Sequence, residues 1–346
     1  MTGQSQAAVE QAIATRRELV NDAIAEELPA TEPVRLYEAS RYLLDAGGKR
    51  LRPTILLLVA ESLADADPAD LDYRSFPADG DDIDLLKAAV SVEVIQSFTL
   101  IHDDIMDDDD LRRGVPAVHR EYDLSTAILA GDTLYSTAFE KLVETGAAPA
   151  RSVEAVSTLA STCTRICEGQ SLDIEFESRD AVATDEYLEM VELKTAVLYA
   201  ASAAIPAVLV GADEATVDSL YGYGLDVGRA FQIQDDLLDL TTPSEKLGKQ
   251  RGSDLVEGKQ TLVTLHAREQ GVDVDDLVDT DSVEAVDEAE IEAAVDRLRE
   301  AGSISFAREM ARDLVESGQE NLDVLPDNDQ RARLEDIAEY LIEREY

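Results

Sequence analysis

The amino-acid sequence predicts an all-α protein, and three observations support this. Apolar residues recur three and four positions apart through nearly the whole chain, which is the period of an amphipathic helix. Ala, Leu, Glu and Asp dominate, and the alternating apolar and polar runs typical of strands are absent. The 346 residues are 45% hydrophobic, which is enough to bury a sizeable core. We find no repeat and no dividing linker, so we predict one large helical bundle over residues 1–346.

Glycine and proline divide the chain into its predicted helices. Breakers occur at the Gly47-Gly48 pair, at Gly211 and at Pro243. The acidic segments 65–80 and 271–285 are expected to be surface insertions. In chain order, helices are expected over residues 5–27, 33–45, 53–64, 84–108, 125–144, 151–178, 185–210, 214–240, 255–268, 286–317 and 329–344.

The charge balance is strongly acidic. Asp and Glu number 74 against 30 Lys and Arg, which gives a formal charge of −44. Nucleic acids and anionic membranes require basic patches, so we expect neither as a partner. We favour solubility at very high salt, where a Debye length of ~3 Å or less screens the self-repulsion. This halophilic interpretation predicts that the protein unfolds or loses activity in dilute buffer.

Cysteine content and the amino terminus favour a cytoplasmic location. Cys163 and Cys167 are four residues apart and are expected to pack as small hydrophobes, with no disulfide framework. The first residues lack the basic-then-apolar pattern of a signal peptide. The uncharged stretch 195–212 approaches the ~20 residues that span a bilayer. It is rich in Ala and contains Pro206, so we predict a buried, kinked helix and no transmembrane segment.

Two acidic clusters share the pattern D-D-x-x-D. The first cluster is Asp103-Asp104-Ile105-Met106-Asp107, and the second cluster is Asp235-Asp236-Leu237-Leu238-Asp239. On a helix this spacing puts the first and last carboxylates on one face, with ~5–6 Å between their Cβ atoms. Magnesium prefers such oxygen ligands, with water and substrate phosphate completing the shell. Each cluster ends a long predicted helix, so both could face one cavity of the bundle.

Basic companions distinguish these clusters from chance. The segment Asp275-Asp276-Leu277-Val278-Asp279 has the same spacing, but no Lys or Arg lies between Arg268 and Arg297. We therefore interpret it as a solvated acidic segment. Arg112-Arg113 follows the first cluster. Of the chain's seven lysines, four fall in segments that we assign to phosphate binding: Lys49, Lys194, Lys249 and Lys259.

A third basic segment is Gly47-Gly48-Lys49-Arg50-Leu51-Arg52-Pro53. Glycines let backbone amides approach an anion, and a helix that begins at proline presents free N–H groups. Arginine binds phosphate through two parallel hydrogen bonds. In a chain this acidic, three adjacent cations predict a second anion site.

The motifs also occur in a fixed order along residues 40–265. They are G-G-K-R-x-R-P, I-H-D-D-I-M-D with L-R-R-G, K-T, and F-Q-x-x-D-D-L-L-D with L-G-K and G-K-Q-T. Together they resemble the trans-isoprenyl diphosphate synthases, most closely the short-chain geranylgeranyl diphosphate synthases of archaea. The resemblance implies a helical bundle of the isoprenoid synthase type with a central cavity, assembled as a homodimer. It implies a prenyltransferase that condenses isopentenyl diphosphate with dimethylallyl, geranyl or farnesyl diphosphate.

The resemblance further assigns roles to individual residues. Three magnesium ions per active site would be held by Asp103, Asp107 and Asp235, with Asp104, Asp236 and Asp239 as helpers. The allylic diphosphate would be contacted by Arg112, Lys194, Thr195, Gln232, Lys249 and Lys259. Isopentenyl diphosphate would be contacted by Lys49, Arg52, Gln96 and Arg113. The Gly169-Gln170-x-x-Asp173 motif would support Lys194.

The charges explain why such a reaction needs these residues. Breaking the carbon–oxygen bond leaves a diphosphate with extra negative charge and an allylic carbocation, so cations around the diphosphate stabilise the transition state. The carbocation must then meet a double bond in a water-free pocket. The diphosphate can accept the final proton, so no histidine base is required. His102 is expected to make a structural hydrogen bond.

Product length is expected to depend on the residues before the first cluster. Phe98 lies five residues before Asp103 and could form the floor that stops the growing tail, although a core Phe remains the alternative. In the resembling family an aromatic here accompanies a twenty-carbon product, and the small Thr99 argues against fifteen carbons. We therefore predict mainly geranylgeranyl diphosphate. Farnesyl, farnesylgeranyl and longer products are alternatives, as is a non-catalytic acidic metal-binding protein.

Overall fold

The computed structural model describes residues 3–179, 181–244, 251–278, 280 and 286–344. These residues form an all-α fold, as predicted. Its helices are, in order, α1 (Gly3–Glu27), α2 (Val34–Asp45), α3 (Leu51–Ala64), α4 (Leu85–Met106), α5 (Val118–Glu121), α6 (Leu124–Val143), α7 (Pro149–Glu177), α8 (Thr184–Val191), α9 (Val197–Val210), α10 (Glu214–Thr241), α11 (Ser253–Val256), α12 (Leu262–Glu269), α13 (Glu288–Glu300), α14 (Ser303–Glu320) and α15 (Asp329–Glu343).

Short elements interrupt this helical pattern. The antiparallel pairs β1 (Phe76–Pro77) with β2 (Asp82–Ile83) and β3 (Leu111–Arg112) with β4 (Val115–Pro116) are each two residues long. The sequence could not predict them, because two residues carry no alternating pattern. A five-residue π turn, Glu192–Ala196, joins α8 to α9. Turns of 3-10 type occur at Pro68–Asp70 and Asn321–Val324.

Two predicted helices are each divided by a glycine. The expected helix 255–268 is α11 and α12, because Gly258 has φ +71° and Thr261 begins α12 by accepting a hydrogen bond from the Thr264 amide. The expected helix 286–317 is α13 and α14, because Gly302 has φ +77°. A left-handed backbone ends an α-helix, and glycine adopts it without steric cost. Helical periodicity continued across both breaks, so apolar spacing alone did not reveal them.

Helix α9 lies at the centre of the core. Its residues from Val197 to Leu209 are buried, and it packs against α3, α7 and α10. The uncharged stretch is therefore a core helix that contains Pro206, as predicted. Two described helices, Leu85–Met106 and Thr184–Val210, are long and apolar enough to cross a membrane, but 72% and 78% of their apolar windows are buried within the protein.

The two expected insertions are not wholly at the surface. In segment 65–80, Tyr73 and Phe76 are buried in the core, and the Tyr73 hydroxyl donates a hydrogen bond to Glu61. In segment 271–285, Val274 and Leu277 are also buried, while residues 279 and 281–285 lie outside the described residues. The described part of each segment thus packs apolar side chains against the core.

Candidate active site

The first cluster lies at the carboxyl end of α4. Asp103 and Asp104 are in its last turn, and Asp107 is the residue that follows the helix. The carboxyl end of a helix carries partial negative charge, so carboxylates placed there strengthen a field that attracts cations. Burial raises the pKa of Asp103 to about 6 and raises that of Asp107, while Lys194 opposes both changes. A bound cation would relieve this concentration of negative charge.

Asp104 and Arg112 form an ion pair at this end of α4. Arg112 Nε donates to Asp104 Oδ1 over 2.6 Å, and a second guanidinium nitrogen lies 2.7 Å from Asp109. Asp104 is fully buried, and its Oδ2 has no hydrogen-bond partner among the described residues. The β3–β4 turn therefore positions Arg112 against the cluster.

Arg113 lies against the glycine loop that precedes α3. Its guanidinium donates to the carbonyl of Leu43, over 3.0 Å, and to that of Gly47. A Cβ at Gly48 would be 3.1 Å from that guanidinium on a backbone at φ +150°, so glycine avoids a close contact and a strained backbone. Arg113 thus connects the loop of Lys49 to the end of α4.

The second cluster is held mainly by hydrogen bonds within the protein. Tyr187 donates to Asp236 Oδ2 over 2.5 Å, and Gln232 donates to Asp236 Oδ1 over 3.0 Å. Burial raises the pKa of Asp236. Asp239 accepts hydrogen bonds from the Ser253 hydroxyl, over 2.9 Å, and from the Asp254 amide, over 3.1 Å. These contacts fasten α10 to α8 and α11.

Asp235 makes an ion pair with Arg344, near the end of the described chain. Sequence reasoning missed Arg344, because the chain after residue 268 carried no motif. The Arg344 guanidinium also lies 4.4 Å from the centre of the Phe231 ring. Burial lowers the pKa of Lys49 most, the nearby Arg344 lowers it further, and Asp235 opposes both effects. Lys49, Arg344 and Asp235 therefore share one electrostatic environment.

Lys259 connects the two clusters electrostatically. Its pKa is raised mainly by Asp254, with further contributions from Asp236 and Asp173. It also lowers the pKa of Asp107, at the other cluster. Lys194 makes a 2.5 Å ion pair with Asp173 and acts on Asp103. Both acidic clusters therefore border one region, which contains the ammonium groups of Lys194 and Lys259.

Arg52 completes the basic side of this region. Its guanidinium lies 4.1 Å from the centre of the Tyr199 ring, whose centre is 5.3 Å from that of Phe231. The Arg52 Nε is buried and has no hydrogen-bond partner among the described residues. The aromatic rings orient Arg52 without neutralising it, which leaves its charge available to an anion.

The remaining predicted residues divide into three groups. The Thr195 hydroxyl donates to Gln232 over 3.0 Å, so these two allylic-side residues are in contact. Gln96 is half-buried on α4, and its carbonyl accepts a 2.9 Å hydrogen bond from Thr99. Lys249 lies outside the described residues.

Phe98 belongs to a row of rings between α4 and α6. Its ring centre is 4.8 Å from that of His102 and 5.2 Å from that of Tyr135. The row continues to Phe139, 5.1 Å beyond Tyr135. His102 Nε2 lies 3.3 Å from the Ile128 carbonyl oxygen, which is the structural contact expected for this histidine.

Within the described residues, no group of three or more His, Cys, Asp or Glu side chains is arranged to hold a metal by itself. Magnesium does not require such a group, because it usually takes one or two carboxylates and completes its shell with water and substrate phosphates. The unpartnered Asp104 oxygen and the raised pKa values of Asp103 and Asp107 fit a cation as well.

Comparison with known proteins agrees with this geometry. The family model described as polyprenyl synthetase matches residues 33–298. The chain is 71% identical to a geranylfarnesyl diphosphate synthase of Natronomonas pharaonis over 98% of both chains. It is 50% identical to a geranylgeranyl diphosphate synthase of Methanosarcina mazei, over 96% of this chain and 97% of that protein.

A solved structure has the same fold. The geranylgeranyl pyrophosphate synthetase of the archaeon Geoglobus acetivorans superposes with a TM-score of 0.85 at 45% identity, over 96% of this chain and 99% of the other. The matched family model covers both acidic clusters, the glycine loop and the lysines between them. The chain belongs to the polyprenyl synthetase family of trans-prenyltransferases.

Proposed function

We propose that this protein joins isopentenyl diphosphate to an allylic diphosphate and repeats the step until the product fills its pocket. One observation carries the proposal. Two carboxylate clusters on separate helices border a single region that contains Lys194 and Lys259. Thr195, next to Lys194, donates a hydrogen bond to Gln232, which in turn donates to Asp236 of the second cluster. An acidic metal-buffering protein would have no use for these cations, whereas a diphosphate bridged to carboxylates by metal ions would need both.

Magnesium is the metal we propose, held on the allylic diphosphate by Asp103, Asp107 and Asp235. When bound, it would supply Lewis-acid stabilisation of the departing diphosphate. Asp103 and Asp107 are on one face at the end of α4, and Asp235 is on α10, where it pairs with Arg344. The number of ions, three per site, is carried over from the resemblance.

The cations of the chain would orient the two substrates separately. Lys194, Lys259 and Arg112 lie on the side of the acidic clusters and would bind the allylic diphosphate. Lys49 and Arg52 lie near Tyr199 and the Asp235–Arg344 pair and would bind isopentenyl diphosphate. Two separately bound diphosphates bring the allylic carbon and the double bond together, which removes much of the entropic barrier.

For the principal product we propose geranylfarnesyl diphosphate, which has twenty-five carbons. The support is the 71% identity to the protein of that name over 98% of the chain, against 50% to a geranylgeranyl synthase. Geranylgeranyl diphosphate, with twenty carbons, is the second candidate. In the family that the motifs resemble, an aromatic residue at the position of Phe98 goes with this product.

The decisive test is a product assay in molar salt. Radiolabelled isopentenyl diphosphate and magnesium would be supplied with dimethylallyl, geranyl, farnesyl or geranylgeranyl diphosphate in turn, and the products separated by chain length. Conversion of geranylgeranyl diphosphate to a longer product supports the proposed length. A mixture that stops at twenty carbons rejects it in favour of the second candidate. No condensation with any allylic partner refutes the function itself.

We also propose a homodimer that forms through α6. This helix exposes several large apolar side chains, an unusual feature on a surface this acidic. They are Leu124, Ile128, Leu129, Tyr135 and Val143. Light scattering in molar salt should give twice the monomer mass of 37.6 kDa, and Leu129→Glu should give a monomer.

A cytoplasmic location is part of the proposal and agrees with the free thiols of Cys163 and Cys167.

High salt is expected to be a condition of stability. The chain carries 74 acidic residues, and their repulsion is screened only when the Debye length is short, ~3 Å at 1 M salt against ~10 Å at 0.1 M. Dialysis from 3 M to 0.1 M potassium chloride should therefore abolish the helical circular dichroism signal and the activity. Full retention of both in dilute buffer would reject the halophilic interpretation.

A further inference from the structure

The π turn between α8 and α9 carries two of the proposed substrate ligands. It spans Glu192–Ala196 and therefore contains Lys194 and Thr195. A π turn inserts one residue into a helix and rotates the following side chains, so it is unstable unless its surroundings hold it. Here α7 and α10 press on it from two sides. A Cβ at Gly169 would overlap the backbone nitrogen of Lys194, and a Cβ at Gly228 would be 2.5 Å from Ala196 Cα, so both helices approach the turn closely.

Glu192, the first residue of the turn, is held by two arginines from these same helices. Arg165 of α7 lies 2.5 Å from Glu192 Oε1, and Arg229 of α10 pairs with Oε2. Arg165 is itself fixed by a 2.6 Å hydrogen bond to the Tyr221 hydroxyl. The side chain of Glu192 is only 20% exposed, so its pairs are partly shielded from solvent. One carboxylate thus ties α7 to α10 at the start of the turn.

The side chains that follow Glu192 contact the same two helices. Lys194 pairs with Asp173 of α7 over 2.5 Å, and Thr195 donates to Gln232 of α10 over 3.0 Å. Any rotation of the turn would move Lys194 away from Asp173 and the first cluster. It would also release Gln232, which holds Asp236.

We infer that Glu192 is a positioning residue for the allylic diphosphate, acting through the π turn. It touches neither substrate nor metal; its two ion pairs fix the rotation of the turn and hence the directions of Lys194 and Thr195. The inference rests on the proposed function. Arg52, on the isopentenyl side, is held against the Tyr199 ring in the buried part of α9 and not by a residue of the turn. The two substrates should therefore respond differently to its loss.

The experiment compares Glu192→Gln with Glu27→Gln in the full-length protein in molar salt. Glu27 is a matched control: its side chain is 14% exposed and is held by Arg74, over 2.7 Å, and Lys141, over 3.2 Å. It lies beside Lys87 at the opposite end of α4, roughly 24 Å along the helix from Asp103 at 1.5 Å per residue. Both variants lose one partly shielded carboxylate that is paired with cations of neighbouring helices or loops.

We expect Glu192→Gln to raise the KM for the allylic diphosphate about tenfold, because small displacements of positioning groups have effects of this order. The KM for isopentenyl diphosphate should stay within about twofold of wild type, as should both constants in Glu27→Gln. Arg229→Lys, which keeps the charge but loses the planar fork, should give a smaller change of the same selectivity. Arg229→Lys also tests the inference if Glu192→Gln fails to fold.

Three other outcomes would overturn the inference. Equal changes in both KM values, or none, would show that Glu192 only stabilises the fold. The same selective change in Glu27→Gln would show that any lost carboxylate has this effect. Wild-type protein without condensation activity would refute the proposed function and this inference with it, whereas active wild type with unselective variants would refute the inference alone.

Discussion

At the end of α4, the carboxylates of Asp103 and Asp107 lie near cations, chiefly Lys194 and, for Asp103, also Arg112. At the end of α10, all three carboxylates of the same five-residue pattern have partners within the protein, and Asp235 is paired with Arg344. Asp236 is bound by Tyr187 and Gln232, and Asp239 is bound by Ser253 and the Asp254 amide. Identical spacing thus supports different uses. The pattern places carboxylates on one helix face, and the surrounding helices decide which remain available.

The largest expected effect is on activity, at the first cluster. Asp103→Asn removes a proposed magnesium ligand and should lower kcat/KM by roughly a thousandfold, the order seen when a key electrostatic contact to the transition state is lost. Asp276→Asn is the control, because Asp276 belongs to the third D-D-x-x-D segment and is exposed. It should leave kcat/KM unchanged. Comparable losses in both variants would mean that net charge, rather than position, matters.

A substitution in the second cluster should lower the stability of the fold. Asp239 is 2% exposed, and Asp239→Asn replaces an anionic acceptor that binds two donors at the start of α11. We expect the free energy of unfolding to fall by about 1–3 kcal/mol, the cost of leaving buried donors poorly paired. Denaturant unfolding in molar salt measures this, again against Asp276→Asn. A fully stable but inactive Asp239→Asn would show that this carboxylate serves the substrate instead.

The contrast extends to pH in magnesium-free buffer. Burial raises the pKa of Asp103 from 3.8 to about 6, so the folded protein binds this proton more tightly than the unfolded chain. The resulting stability is present below pH 3.8 and is lost as the pH rises through 6. At pH 7 Asp103→Asn should therefore be more stable than wild type, on the order of 1 kcal/mol after screening. The difference in melting temperature between the two proteins should grow between pH 4 and 6. A constant difference would contradict the raised pKa.

Much of this arrangement follows from local sequence. The ends of α4 and α10, the basic loop before α3 and the central α9 are all readable from periodicity and from clusters of one charge. What could not be read is contact between distant residues: Tyr187 with Asp236, Arg344 with Asp235, and Glu192 with its two arginines. No local pattern marks these partners, because each depends on how helices far apart in the chain pack. The π turn is hidden for the same reason, since α8 and α9 look like one helix.

Product length provides the mildest test of the comparison. Phe98 precedes Asp103 by five residues, whereas the same place before Asp235 is occupied by Ala230, which is fully buried. A floor for the growing chain can therefore be built from α4 and not from the equivalent position of α10. The Phe98 ring is braced by Tyr135 of α6, at 5.2 Å between ring centres, so it cannot simply swing aside.

Phe98→Ala should lengthen the product by at least one isoprene unit, with little change in the rate of the first condensation. Phe306→Ala is the matched control: this ring is also half-buried and lies against a histidine, with 4.2 Å between the ring centres of His266 and Phe306, compared with 4.8 Å between His102 and Phe98. Both changes lose similar packing, so a general loosening of the protein would alter both product mixtures alike. Chromatography of the labelled products shows whether the product mixture changes in Phe98→Ala alone or in both variants. An unchanged distribution in Phe98→Ala would place the floor elsewhere and leave Phe98 as an ordinary core residue.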